Sequence, residues 1–384
     1  MTDKRSEESA EDTEDTMARN RVSRPRIAMV APSLGVLGGQ AVQAKVLADH
    51  LRADGYEVEL VPINPPFPRG AGWLKRLRFI RTVANEGLYL PTLRKLRSAD
   101  VVHVLSASYW SFLLAPLPAI VAARKWGKPI LLNYHSGEAD DHLAHWGSLV
   151  HPWLKMVDKI VVPSVFLRDV FARHGYRAEV IHNIIDTGQF RYRERLPLLP
   201  EFLSVRNFEP HYGVEYTLVA FAMIQTVFPA ASLTVAGQGP QEAELKHLAQ
   251  ALALRNVRFI GAVDPAQMPS LYDRHSVFLN ASFVDNQPLS VLEAMASGMP
   301  VVSTPIGDIP NMVKDGESAT LVSAGDPYAM AKAATLLLEQ PQRAALMAQR
   351  AKESLVRYDW SKVGPAWADT YRRLATTSSD REAA

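Results

Sequence analysis

The sequence predicts an α/β protein built from two doubly wound domains that face a central cleft. Three observations carry that expectation. Short apolar runs alternate with amphipathic stretches along the chain, the order that yields parallel sheets covered by helices. The alternation runs twice, over 25–185 and 201–360, with a polar, proline-containing linker at 186–200. The length of 384 residues exceeds what one hydrophobic core usually serves.

Residues 1–24 are rich in Glu, Asp, Ser, Thr and Arg. They read as a disordered acidic tail without the apolar centre of a secretory signal. Ile27–Ala31 is an apolar run of the parallel, doubly buried kind. A loop with Gly35, Gly38 and Gly39 follows, then a helix with Ala41, Val42, Val46, Leu47 and Leu51 on its apolar side. Strand, glycine loop and helix form the opening unit of a Rossmann-like half, and such a loop brings backbone N–H groups close to an anion. Many glycine loops only turn the chain.

Val58–Pro62 is the second strand. Residues 73–97 form a basic amphipathic segment. Trp73, Leu77, Ile80 and Ala84 fall on one side, Lys75, Arg76, Arg78 and Arg81 mostly away from it, and Arg94, Lys95 and Arg97 follow. Such a face either rests on an anionic membrane surface or packs on its own sheet as an ordinary surface helix. Val101–Leu105 is a strand, followed by a helix to about Arg124. Residues 129–138 run from a strand into a loop at its carboxyl end, where open α/β sheets bind ligands; this singles out His135. Asp140, Asp141 and His142 have metal-binding chemistry, but three adjacent residues on a helix cannot all face one ion, so no metal is expected. Lys159–Ser164 is a strand leading into a serine-capped helix, and 178–183 close the first domain.

The second domain opens on a strand at 202–207 carrying Arg206, whose guanidinium fork suits phosphate oxygens. Strands follow at 231–236, ending on the Gly237 loop, at 256–261 and at 276–282. The most informative stretch is 283–304. Pro288 suits a first helical position, Leu289, Leu292, Met295 and Ala296 recur at helical spacing, and Gly298 and Pro300 end the helix. Asp285 precedes this helix. Glu293 lies five residues past Pro288, roughly 7–8 Å along the axis at ~1.5 Å per residue. Between them, the free amides and positive dipole end of the helix suit a phosphate. Two acids flanking a phosphate seat suit a nucleotide-sugar, each holding hydroxyls on one side of the diphosphate. Leu321–Ser323 reads as a late edge strand, 326–357 as two helices, and a last helix runs from Tyr358 to about Leu374.

The spacing acid-x7-Glu, followed by Ala-Met-Ala-Ser-Gly-Met-Pro-Val-Val-Ser-Thr, resembles the signature of family 4 glycosyltransferases. The resemblance implies the GT-B fold and a retaining, metal-independent hexosyltransferase that needs no cofactor. It implies His135, Asp285 and Glu293 as the catalytic set. Gly38 and Gly39 would face donor phosphates and acceptor, Arg206 the diphosphate, and Gly237 the nucleobase. Asp285 and the backbone of Asn286, Gln287, Pro288 and Leu289 would hold the sugar, and Ser290 and Val291 lie at the phosphate seat. Ile181–Asp186 is similar to the family's interdomain hinge, and a helix at 361–377 would cross back to the first domain, leaving a disordered tail at 378–384. The implied partners are a nucleotide-sugar donor and a carbohydrate or lipid-linked acceptor. The location would be cytoplasmic, peripheral at the inner face of the membrane through 73–97, with a role in cell-envelope glycan or glycolipid synthesis.

This chain departs from the family pattern where Tyr212 replaces a lysine and where Asp285 replaces the usual Glu. Either His211 compensates for the lost cation, another side chain reaches in, or donor binding is altered. At the level of residues three other readings stay open: a GT-B nucleotide-sugar epimerase, a phosphorylase-like enzyme with a pyridoxal lysine, and an inactive nucleotide-sugar-binding relative. A formal charge of +2 gives no nucleic-acid footprint, and the absence of cysteine excludes disulfide frameworks and thiolate chemistry. No apolar run is long enough to span a bilayer.

Overall fold

A computed structural model describes residues 24–33, 38–68 and 78–383. The expected tail up to residue 23, Gly35, and Trp73 to Leu77 of the basic segment lie outside the described residues.

The first sheet is six-stranded and parallel, in the order β2-β1-β3-β4-β5-β6. Its strands are β1 (Ile27–Ala31), β2 (Val58–Pro62), β3 (Val101–Ser106), β4 (Ile130–Tyr134), β5 (Lys159–Val162) and β6 (Ala178–Val180). Helices α1 (Gly39–Ala53), α2 (Arg78–Thr92), α3 (Trp110–Leu114), α4 (Pro116–Lys125), α5 (Ala139–His145), α6 (Gly147–Leu154) and α7 (Val165–Arg173) cover it. Side chains alternate between its faces with period two. On β3, Val102 and Val104 enter one core with Phe112 and Ile120, while Val101 and Leu105 enter another with Leu47 and Leu51.

The second sheet is also six-stranded and parallel, in the order β12-β11-β10-β7-β8-β9. Its strands are β7 (Glu201–Val205), β8 (Ser232–Ala236), β9 (Val257–Gly261), β10 (Val277–Asn280), β11 (Val301–Ser303) and β12 (Thr320–Leu321). Around it lie α8 (Val214–Val227), α9 (Glu242–Ala251), α10 (Met268–Asp273), α11 (Leu289–Ala296), α12 (Ile309–Met312), α13 (Pro327–Glu339) and α14 (Pro341–Glu353). The expected alternation, two sheets and GT-B architecture are all present.

Strand order reverses direction beside β1 and β3 in the first sheet, and beside β7 and β10 in the second. At such switch points the loops leaving the strands part and open a crevice. The loop after β1 carries Gly38 and Gly39, and β4 exits at His135. The loops after β7 and β10 carry Arg206 and Asp285. Parallel topology therefore brings these residues, remote in sequence, to one cleft.

The stretch 186–200 is irregular but not loose. Arg195 is 2% exposed and donates to the carbonyls of Tyr272, His275, Arg193 and Ser297, which staples it to the second domain. The final helix, α15 (Trp360–Ala383), extends past the expected end near 374–377. Arg, Glu and Ala are good helix formers and carry it through the region expected to be a disordered tail. Its Val363, Trp367, Tyr371 and Leu374 pack in the core of the first domain. Trp360 stacks on His50 at 4.8 Å and donates to Asp54. The two crossings between domains meet where the Ile185 amide donates to the Tyr358 carbonyl.

Candidate active site

The cleft between the domains has a volume of about 750 Å³. Its wall includes every site residue expected above except Val291. Val291 is fully buried beside Leu292 and Met295 in the core under α11. Pro288 is the N-cap rather than the first helical residue, and α11 is buried on nearly every side, so Val291 is covered together with Leu292, Ala294 and Met295. The first intrahelical bonds run from Val291 and Leu292 to the Pro288 carbonyl. The amides before them belong to the unpaired first turn, whose positive end points at the cleft.

Glu293 lies on the cleft side of α11. Burial pushes its carboxyl up to about 7, against the opposing pull of the Tyr272 hydroxyl and Arg206. Tyr272, fully buried, donates to Glu293 Oε2 at 2.8 Å. Sequence reasoning missed Tyr272, because an aromatic in the short α10 has the same spacing as a core residue.

Asp285 and Arg206 meet across 2.7 Å, with only 9% and 10% of their side chains exposed. The contact pairs charges without hydrogen-bond alignment. Arg206 Nε donates to Asn280 Oδ1 at 2.8 Å, and the guanidinium lies 5.3 Å from the centre of the Tyr212 ring. Tyr212, in place of a lysine, thus supplies a cation–π surface under the arginine. His211 packs against it with the rings tilted by 53°, centres 4.3 Å apart, and its carbonyl accepts from the Phe283 and Val284 amides. Gly237 is required by close approach: at φ +152° an added Cβ would lie 1.8 Å from the Arg206 carbonyl.

The Asp285 carbonyl is hemmed by glycines from both domains. A Cβ would come within 2.7 Å of it from Gly137 and 2.2 Å from Gly307. Across the cleft, Gly39 faces Leu289, whose Cδ1 would sit 3.5 Å from an added Cβ.

Asn286 and Gln287 line the cleft, where their backbone is expected to act, while their side chains turn to the first domain. They are 6% and 4% exposed, and their side chains are committed to the first domain. Ser164 donates to Asn286 Oδ1, and Asn286 Nδ2 donates to the His135 carbonyl at 3.1 Å. Gln287 Oε1 accepts from the Asn183 amide, while Nε2 donates to the Pro163 carbonyl and lies 3.1 Å from His182 Nδ1. Asp308 of the second domain accepts from the Phe166 amide at the start of α7. These bonds form a polar seam that holds the cleft closed on this side. Their physical origin is simple: buried amides must be paired, and the first domain offers most of the partners, with Asp308 adding one from the second.

His135 is fixed by its backbone, donating to Ser106 and accepting from Asn286. Burial lowers its imidazole to about 4, so it is neutral at pH 7. The Asp140–His142 cluster diverges. Asp140 pairs with Arg173 and His174, Asp141 with His145, and buried His142 bonds Tyr134.

The family described as Glycosyltransferase Family 4 matches residues 37–189, and that described as Glycosyl transferases group 1 matches 193–354. Together the two stretches take in most of the chain. A glycogen synthase of Mycobacterium tuberculosis is 29% identical over 314 residues, covering 77% of this chain and 74% of that protein. A phosphatidyl-myo-inositol mannosyltransferase of Mycolicibacterium smegmatis is 28% identical, covering 91% of this chain and 94% of that protein. Among solved structures, sucrose-phosphate synthase from Thermosynechococcus elongatus superposes with a TM-score of 0.74 at 20% identity, over 92% of this chain and all of that one. HepE of Anabaena, in complex with UDP and glucose, gives 0.70 at 18% identity, over 91% and 100%.

Proposed function

The chain belongs to the group 1, family 4 glycosyltransferases, and on that premise we propose that it moves a sugar from a nucleotide-diphosphate sugar to a hydroxyl acceptor with retention of configuration. The observation that carries this reading is the convergence of Arg206, Asp285, Glu293 and the start of α11 on one wall of the cleft, with His135 and Gly39 on the opposite wall.

The diphosphate binds between the Arg206 fork and the unpaired amides of α11. Glu293 accepts from the ribose hydroxyls, and Asp285 accepts from the transferred sugar. Donor binding exchanges one partner for another at Arg206, because the diphosphate takes over the charge that Asp285 neutralises in the resting protein. As the glycosidic bond breaks, negative charge grows on the leaving phosphate, and Arg206 and the helix dipole are already aimed at it. The acceptor hydroxyl arrives from the side of Gly38, Gly39 and His135. The leaving phosphate takes its proton, which needs no protein nucleophile, metal or cofactor. The neutral His135 ring serves as a hydrogen-bond partner, not as a charge.

We place the acceptor among carbohydrates or lipid-linked glycans of the cell envelope, reached from a cytoplasmic, anionic membrane face. On α2, Ile80, Val83 and Leu90 are exposed while Tyr89 is buried, and Arg81, Arg94 and Arg97 are exposed nearby, so the described part of the basic segment leaves apolar surface beside cations. Among the described residues no helix is long and apolar enough to cross a membrane. Thermal-shift screening with UDP-, GDP- and ADP-sugars identifies the donor. Transfer by wild type, and its loss in Glu293→Ala, then tests the site. Turnover by that variant with unchanged donor affinity overturns the assignment, and isomerisation of donor alone identifies an epimerase instead.

A further inference from the structure

Alternation along β4 puts Leu131, Asn133 and then His135 on the same face, towards α1 and the crossing helix α15. Behind His135 lies a small cavity of about 10 Å³, walled in part by Gln43, Asn133, His135, Asn183 and Trp367. That volume matches one water molecule. Three wall residues each carry a polar atom sealed from solvent with no protein partner: Asn133 Oδ1, His135 Nε2 and Trp367 Nε1. The neighbouring amides are already used. Gln43 exchanges both of its side-chain bonds with Ile184, and Asn183 Nδ2 donates to the Gln287 carbonyl. Leaving a buried polar atom unpaired is costly, and three around one water-sized space give a strong reason to fill it.

We propose that a single structural water sits behind His135, bonded to Asn133, Trp367 and the His135 ring, and that Asn133 and Trp367 are positioning residues that fix the ring's tautomer. The inference rests on the reading of His135 as an active-site residue. The tautomer follows from donor and acceptor counting. Trp367 Nε1–H can only donate, so it occupies a lone pair of the water. Asn133 Oδ1 can only accept, so it takes one water hydrogen. The second water hydrogen then needs an acceptor, and of the three unpartnered wall atoms His135 Nε2 is the one left to receive it. Nε2 is therefore bare and the proton sits on Nδ1. His135 also lines the cleft, so the ring presents an N–H donor there for a substrate oxygen. Trp367 belongs to α15, which makes the crossing helix a part of the site's back wall.

The test is 15N NMR of histidine-labelled, full-length resting protein, with His135→Asn identifying the ring signals among 11 histidines. The expected result is a protonated Nδ1 and a bare, pyridine-like Nε2 at pH 7. Trp367→Phe keeps the ring but removes the donor, and Asn133→Leu keeps the shape but removes the acceptor. Trp367→Phe frees a lone pair of the water for an Nε2–H and should move the ring towards that form, lowering kcat about tenfold with donor KM within about twofold; Asn133→Leu leaves Nε2 as the water's remaining acceptor and should keep it bare. A wild-type ring in the Nε2–H form, unchanged ring signals in Trp367→Phe, or an Nε2–H ring in Asn133→Leu overturns the proposal. The expected ring signals together with full transfer by His135→Asn would support the water site while refuting the active-site reading, so the two failures are distinct.

Discussion

Replacing Glu293 by Gln should make the resting protein more stable at alkaline pH while abolishing transfer. In the folded protein burial raises this carboxyl from 4.5 to about 7, so between those values the folded state holds a proton that the unfolded state has released. Stability then falls as pH rises from about 4.5 to 7, and the whole loss is present above 7. At 1.36 kcal/mol per pKa unit, ionising Glu293 costs the folded state about 3 kcal/mol. Gln is isosteric, keeps the acceptor oxygen for the Tyr272 hydroxyl, and never ionises. Its variant should match wild type near pH 5 and exceed it at pH 8. For a domain of this size, ~2–4 °C per kcal/mol gives a melting difference of roughly 6–12 °C. Melting curves of both proteins over pH 5–8.5 provide the assay, since all other titrating groups cancel in the difference. A pH-independent difference, or a variant that is less stable at pH 8, refutes the claim that Glu293 is a strained acid held for ligand binding.

Other consequences follow from the same geometry. Arg206→Met leaves Asp285 buried and unpaired. It should cost on the order of 3 kcal/mol in denaturant unfolding and weaken donor binding roughly 10- to 100-fold by calorimetry. Adding Asp285→Asn should recover the stability but not the binding. Gln287→Leu deletes three side-chain contacts of the seam, and digestion within 186–200 should accelerate while each domain keeps its circular dichroism. Gly137→Ala would drive a Cβ to 2.7 Å from the Asp285 carbonyl, so the domains must part; kcat should fall at least tenfold and the radius of gyration by X-ray scattering should rise. Unchanged scattering and kcat would mean that this close contact is not needed.

The sequence makes the central strands readable because β1, β3, β4 and β10 are buried on both faces, whereas the edge strands β2, β6 and β9 each carry an exposed charged residue. The second-domain wall of the cleft is readable because Asp285, Pro288 and Glu293 sit in or just before one short helix, where spacing fixes their separation. What stays hidden has a common cause. The side-chain partners of Asn286 and Gln287 are 100 to 150 positions away in the other domain, and no local pattern encodes that distance. Val291 is covered because its short helix is buried on nearly every side, which its spacing alone does not tell. Arg195 and Tyr272 look like linker and core residues until the tertiary fold wraps carbonyls around one and a carboxylate against the other.

The central claim is tested most directly by a crystal structure of the protein with whichever UDP-, GDP- or ADP-sugar raises its melting temperature most. The diphosphate should lie within hydrogen-bond reach of Arg206 and the first amides of α11, with the ribose on Glu293 and the sugar on Asp285. A nucleotide-sugar bound elsewhere, or an Arg206–Asp285 pair left intact beside it, would contradict the account.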